Sequence, residues 1–264
     1  MSDLQNFDLA GKVAMVTGAS RGLGQYLGRA LATAGADLVI TSRTLDSLDG
    51  FKEEIEGMGR RVLPVELDVT DYDSIQAAVK ESVGHYGRID VLMNNAGCNV
   101  RKPTTEITWD DWNLVLDTNL RGLFFVAQAV ARDSMLPNKS GRIINIGSVT
   151  CVAGYAGLAP YCASRGGVKQ LTMSLAHEFG DRNVNVNCLA PGWFKTEQNR
   201  VMYEDEGWVD YLCERIPLGR PGQPHDLDGT VVFLASDASR YVTGQTILVD
   251  GGISVAPVRA LPKK

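Results

Sequence analysis

The chain has 264 residues, 44% of them hydrophobic and 22% charged, an ordinary globular balance that allows a sizeable core and makes disorder a poor expectation. Its formal net charge of −5 argues against nucleic acid or an anionic membrane as partner, because both reward a basic surface, and a small molecule is expected instead. The start MSDLQNFDLAGKVAMVTG lacks the basic end and long apolar run of an export signal, and no apolar run approaches the roughly 18 residues of a transmembrane helix.

The first apolar run, Val13 to Val16, reads as a buried strand, followed by a glycine turn and a helical period over Leu23 to Ala34. Strands are then expected at Leu38 to Thr41, Val62 to Leu67, Val91 to Asn94, Arg142 to Ile146, Asn183 to Leu189 and Thr246 to Val249, which makes seven. Helices are expected between them at Leu45 to Gly57, Ser74 to Tyr86, Trp109 to Met135, Tyr161 to Glu178 and Asp226 to Ala235. This alternation predicts an α/β fold: right-handed crossovers, one parallel sheet covered by helices on both faces, and ligands outside the carboxyl ends of the strands. No linker or repeat divides the chain, so one doubly wound domain over residues 1–264 is expected. The stretch from Trp193 to Pro217 breaks the pattern with Trp193, Phe194, Met202, Tyr203, Trp208 and Tyr211 among many charges. It reads as a substrate lid, with a helical pair covering the core as the alternative. The five cysteines, Cys98, Cys151, Cys162, Cys188 and Cys213, are odd in number and lack CxxC spacing. They are read as free thiols in a reducing, cytoplasmic compartment, with no metal site expected.

The turn after the first strand is Thr17-Gly18-Ala19-Ser20-Arg21-Gly22-Leu23-Gly24. Glycines between a strand and a helix let the backbone approach a pyrophosphate and aim helix N–H groups at it. Three glycines are a weak signal alone. Further motifs follow: Asp68-Val69 after the third strand, Asn94-Asn95-Ala96-Gly97 after the fourth, Asn119, Ser148, Tyr161, and Pro191-Gly192 followed by Thr196. In their order and spacing, from about Leu9 to Gly252, the sequence resembles the short-chain dehydrogenase/reductases, a family with a Rossmann-like domain. The resemblance implies that Gly18, Gly22 and Gly24 line the cofactor phosphates, with Ser20, Arg21 and Leu23 also at the cofactor, and that Asp68 and Val69 bracket the adenine. It also implies that Asn95 packs near the adenosine ribose, that Thr196 holds the carboxamide, and that Ala96, Gly97, Pro191 and Gly192 lie at the cofactor.

At the end of the second strand the chain reads Thr41-Ser42-Arg43, where an NAD enzyme of this type would place an acid at Ser42. Arg43, with Arg21, could fork onto a 2′-phosphate. NADP is therefore expected over NAD, although arginines at strand ends are also ordinary surface residues.

Carbonyl reduction by hydride needs a proton for the emerging alkoxide and a donor that holds the oxygen. A phenol has a reference pKa of about 10, so a cation must lower it for the reverse direction near neutral pH. The family implies Tyr161 as acid/base, with Ser148 and Asn119 completing the set and a lysine four residues after the tyrosine. Here that position is Arg165. An i,i+4 pair shares a helix face at a rise of about 6 Å, so Arg165 points where the lysine would and could touch the cofactor beside Tyr161. A guanidinium is effectively never deprotonated, so it either replaces the lysine electrostatically or disables the reaction.

Arg101 and Lys102, on the loop beyond the fourth strand, are candidates for a substrate carboxylate, or are a solvated pair. The segment resembles sugar-acid members of the family, which makes a sugar keto-acid the leading substrate class. Tyr155 and Trp193, beside Ser148 and Tyr161, complete the expected substrate wall. A 3-oxoacyl thioester reductase is the alternative, and a non-catalytic NADP-binding scaffold or sensor is the alternative from another class. The resemblance further implies a homotetramer joined by the helices Trp109 to Met135 and Tyr161 to Glu178. Phe124, Phe125 and Leu171 are candidate contacts there, or equally ordinary core.

Overall fold

A computed structural model describes residues 4–255. Seven parallel strands form one sheet in the order β3-β2-β1-β4-β5-β6-β7, built from β1 (Val13–Val16), β2 (Asp37–Ser42), β3 (Val62–Glu66), β4 (Val91–Asn94), β5 (Gly141–Ile146), β6 (Val184–Pro191) and β7 (Thr246–Val249). Every residue of β1, β4, β5 and β6 is buried, as continuous apolar runs require when both faces are covered. Successive side chains go to opposite cores. Ala14 and Val16 join Leu27, Leu31, Phe51 and Leu234 on one face, while Val13 and Met15 join Ile75, Val79, Val126 and Phe179 on the other.

The first face is covered by α1 (Leu23–Thr33), α2 (Asp49–Gly57) and α9 (Asp228–Ala235); the second by α3 (Tyr72–Tyr86), the rod from Trp109 and α7 (Ala159–Phe179). Helix α3 begins two residues before Ser74 because Asp71 caps it, its carboxylate accepting from the N–H groups of Asp73 and Ser74. Helix α7 begins before Tyr161 because Pro160 fits a first helical turn. Asn183 falls outside β6: with φ 57° it turns the chain into the strand.

The segment Trp109–Asn138 is one rod of 30 residues, long and apolar enough by length and composition to cross a membrane, but half of that window is buried in the fold. It is not uniformly α-helical. Between α4 (Trp109–Leu116), α5 (Leu123–Val130) and α6 (Leu136–Asn138) lie two π-helical stretches, Asp117–Gly122 and Ala131–Met135. The region after Trp193 folds into a 3₁₀ turn, Glu197–Tyr203, and α8 (Glu206–Arg215). These bury Tyr203, Leu212 and Ile216 in a small core of their own with Trp193, Met202 and Trp208 packed against it, so the segment is a helical pair rather than an open loop.

The strand order reverses direction at β1, with β2 on one side and β4 on the other. That is the switch point where open α/β sheets leave a crevice at the strands' carboxyl ends.

Candidate active site

Thr17, just past β1, locks one wall of this crevice. Its hydroxyl accepts from the N–H of Asn95 and of Ala96, both at 2.9 Å, and the Asn95 amide returns two bonds, to Thr17 O at 2.9 Å and Gly18 O at 3.1 Å. The glycine turn is tied to the loop after β4. Gly18 has φ +65° and lies so close to Ala96 that an added Cβ would stand 3.0 Å from its Cα; a Cβ on Gly24 would run into Gly18 O. Gly22 precedes α1 without a side-chain cap, so the first N–H groups of α1 face outward from the turn. Among the described residues this is a cradle that side chains would fill and that bare backbone leaves open, which fits a dinucleotide pyrophosphate.

Ala19 N–H donates to Thr41 O at 2.8 Å, which sets the turn beside the end of β2. There Ser42 hydrogen-bonds Ser47 at 2.8 Å. Arg21 and Arg43 are exposed and have no acidic partner among the described residues. Asp68 uses one carboxylate oxygen to accept from Thr70 N–H and hydroxyl, at 2.9 and 2.7 Å, and so holds the loop bearing Val69. Gly122, in the first π-helical stretch, is what lets Val69 O approach the rod, since a Cβ there would collide with it.

Asn119 is tied to the helix that carries Tyr161. Asn119, fully buried in the same π-helical stretch, accepts from Cys98 N–H at 2.8 Å and donates to Cys98 O at 2.9 Å and to the Ser164 hydroxyl at 3.2 Å. Ser164 in turn donates to Tyr161 O at 2.8 Å. Asn119 therefore pins the Gly97–Cys98 loop to the tyrosine helix, and a π-helical insertion is a recurrent way to turn one side chain out of a helix's ordinary register. Ser148 caps the 3₁₀ turn Val149–Cys151, its hydroxyl accepting from Thr150 N–H at 3.2 Å.

Arg165 is 4% exposed. Its Nη1 donates to Ile146 O at 2.7 Å, at the end of β5, and its guanidinium carbon lies 5.0 Å from the centre of the Tyr161 ring. Its Nη2 sits against Gly97, where a Cβ would stand 2.6 Å away. No carboxylate pairs with it among the described residues, and Nε has no hydrogen-bond partner. A buried cation without a counter-ion is costly unless something else supplies negative charge or acceptor oxygens, and the group beside it is the Tyr161 phenol.

The rim differs from expectation at one position. Lys102 Nζ is 2.6 Å from Asp111 and holds that carboxyl down to about 2, aided by the Thr108 capping contacts at the start of α4. Lys102 is thus committed within the protein. Arg101 is exposed, its stem beside Gly157, and has no acidic partner among the described residues. Tyr155 meets Trp193 edge-on at 5.8 Å, Trp193 meets Trp208 at 5.1 Å, and Trp208 stacks on Tyr211 at 5.5 Å. Burial pushes the Tyr155 phenol up. Gly192 permits β6 to press on the chain after β7, as a Cβ would stand 2.7 Å from Asp250 Cα. Thr196 donates to Asn199 at 3.0 Å.

Sequence reasoning did not single out Thr17, Ser164 or Asp111 as supports of the site. The Asp111 pairing had a legible signal in Thr108-x-x-Asp111, a capping box that marks a helix start. Cys151, read from the sequence only as a free thiol, also supports the site: its Sγ donates to Arg165 O at 3.1 Å and accepts from Ser148 N–H at 3.5 Å.

Residues 18–254 match the family model described as enoyl-(acyl carrier protein) reductase. The chain is 43% identical to a gluconate 5-dehydrogenase of Gluconobacter oxydans over 256 residues, 97% of this chain and 100% of that one. It is 40% identical to a 5-keto-D-gluconate 5-reductase of Escherichia coli K12 with the same coverage. A crystal structure of a gluconate 5-dehydrogenase from Burkholderia cenocepacia, in complex with NADP and tartrate, superposes with a TM-score of 0.93 at 40% identity, covering 97% of this chain and all of that one.

Proposed function

The chain belongs to the short-chain dehydrogenase/reductase family and is an oxidoreductase, and from that premise we propose that it is an NADP-dependent reductase of a sugar keto-acid, working reversibly on the matching secondary alcohol. The observation that carries this reading is the placement of Arg165: a buried guanidinium with no acidic partner among the described residues, 5.0 Å from the Tyr161 ring and bonded to the strand end that leads to Ser148. It sets a cation beside the Tyr161 ring at the carboxyl end of β5.

The glycine cradle would hold the pyrophosphate of NADP, Arg21 and Arg43 its 2′-phosphate, Asp68 and Val69 the adenine, and Thr196 the carboxamide. When bound, the nicotinamide supplies or accepts the hydride. Ser148 donates a hydrogen bond to the carbonyl oxygen, and Tyr161 gives that oxygen its proton as alkoxide character develops. Arg165 places a fixed positive charge against the Tyr161 ring and cannot itself pass the proton on. Asn119 keeps Gly97 and the tyrosine helix in register. Arg101 meets the substrate carboxylate, with Tyr155 and Trp193 forming the opposite wall and the segment from Trp193 to Pro217 closing over it as a lid. The gluconate names and bound tartrate of the relatives support an acidic polyol over an acyl thioester.

The apolar face of Leu116, Leu120, Phe124 and Leu171, which lines a surface cavity between the rod and α7, supports assembly as a homotetramer. The five free thiols support a cytoplasmic setting.

Consumption of NADPH with 5-keto-gluconate, a neutral diketone and an acetoacetyl thioester tests the reading. Turnover should be fastest with the keto-acid sugar, and NADPH should bind about tenfold or more tightly than NADH, a gap of about 1.4 kcal/mol. Arg101→Ala should raise KM for the acid while sparing the diketone. Preference for the thioester, or equal affinity for the two cofactors, would overturn it.

A further inference from the structure

Beneath Ser148 two thiols face each other. Cys151 ends the 3₁₀ turn that Ser148 caps; Cys188 lies midway along β6, in register with Asn145 of β5. Gly147 separates their backbones. A Cβ added there would stand 2.5 Å from Cys188 Sγ and 2.8 Å from Cys151 Sγ, so both sulfurs press on the same Cβ-sized space, and the residue between them has no side chain to block them. Cys151 is partly exposed, whereas Cys188 is fully buried.

Their environments differ in the sense that two-step thiol chemistry needs. Hydrogen bonding from Cys188 lowers the Cys151 thiol to about 7, opposed by burial and helped by Ser148 N–H and by the charges of Arg165 and Lys169. Cys188 is held well up by Cys151 and by burial. One sulfur is therefore a reachable nucleophile and the other a protonated, shielded neighbour. The contacts that Cys151 makes, to Ser148 N–H and Arg165 O, join the two elements that carry the reacting groups.

We propose that Cys151 and Cys188 form a reversible redox site at which a hydroperoxide is reduced and the active site is switched off. Cys151 releases its proton to solvent and its thiolate attacks the hydroperoxide; the O–O bond breaks, Cys151 becomes a sulfenic acid, and the departing alkoxide or hydroxide takes a proton back from solvent and leaves as alcohol or water. Cys188 then loses its proton and attacks Cys151 Sγ; the S–S bond forms, the S–O bond breaks, and the departing hydroxide takes the proton as water. Two thiols are oxidised by two electrons and one hydroperoxide is reduced. The disulfide has no S–H, so the bond from Cys151 to Arg165 O is lost and the Ser148 turn shifts towards β6. A dithiol reductant returns the disulfide to two thiols by exchange and is itself oxidised to a disulfide.

The fall in turnover rests on the function proposed above; the bond between the sulfurs does not. The full chain treated with hydrogen peroxide, then digested without reductant, should yield a Cys151–Cys188 cross-linked peptide by mass spectrometry that dithiothreitol removes. Turnover should fall about tenfold or more in step with the cross-link, the scale of a lost hydrogen bond, and return on reduction. In Cys188→Ala the cross-link cannot form, and a dimedone adduct should appear at Cys151 instead. Oxidation confined to Cys98, Cys162 or Cys213, or Cys151 carried to sulfinic acid with Cys188 still reduced, would overturn the proposal. So would a cross-link that leaves an active wild type at full turnover.

Discussion

Arg165 occupies the position where the family resemblance implied a lysine, and the two side chains differ in more than bulk. A lysine ammonium is a flexible point charge able to give up a proton, whereas a guanidinium is a fixed planar fork that stays charged. In this protein the fork is immobilised: one arm on Ile146 O, one against Gly97, and the face over the Tyr161 ring. A guanidinium so held keeps its charge and cannot relay a proton. Arg165→Met removes the guanidinium packed on the Tyr161 ring and should lower turnover about tenfold, whereas Arg165→Lys, which keeps a positive charge, should retain more of it. Steady-state rates for the three proteins check this, and an Arg165→Met variant as fast as wild type would assign the cation a purely structural part. This residue was legible as a departure from a pattern. Its stacking on Tyr161 and its missing counter-ion were not, because they depend on which groups three separate elements leave within reach.

At the scale of elements, strands were more legible than helices. A strand buried on both faces is an unbroken apolar run, and each of the seven lay within a residue or two of its expected place. The rod Trp109–Asn138 was legible as apolar and long, but not as interrupted: a π-helical stretch changes the hydrogen-bond register while leaving composition untouched. The aromatic segment after Trp193 was recognisable as unusual; that it folds as a 3₁₀ turn and a helix with its own core follows from where Tyr203, Leu212 and Ile216 meet. At the start of the rod, Lys102 and Thr108 hold the Asp111 carboxyl at about 2. A depressed carboxyl stabilises the fold above its ordinary titration range and loses that contribution as pH falls through the folded value. The capping box should therefore persist to about pH 2, and in Lys102→Met the Asp111 titration should move up toward the reference value of about 3.9. Carbon-detected NMR of the side-chain carboxyls reads this directly, and an unchanged Asp111 in the variant would show that Lys102 does not hold it.

For the whole molecule, the sheet order places every chemical group at one edge. The cradle after β1, the loop after β4, the Ser148 turn after β5 and the Pro191–Gly192 corner after β6 share the carboxyl ends of neighbouring strands. Replacing Leu171 by Glu should convert a tetramer into smaller species in analytical ultracentrifugation while each subunit still binds NADPH; a wild type that sediments as a monomer would remove the assembly from the account. In the proposed reaction hydride passes from NADPH to a keto-acid sugar, with Tyr161 supplying the proton. Reduction of 5-keto-gluconate by NADPH deuterated at the transferred position, with the product read by mass spectrometry, tests it most directly. Wild type should give singly deuterated product and Tyr161→Phe essentially none, although the variant still binds the cofactor; unlabelled product, or a Tyr161→Phe variant as fast as wild type, would contradict it.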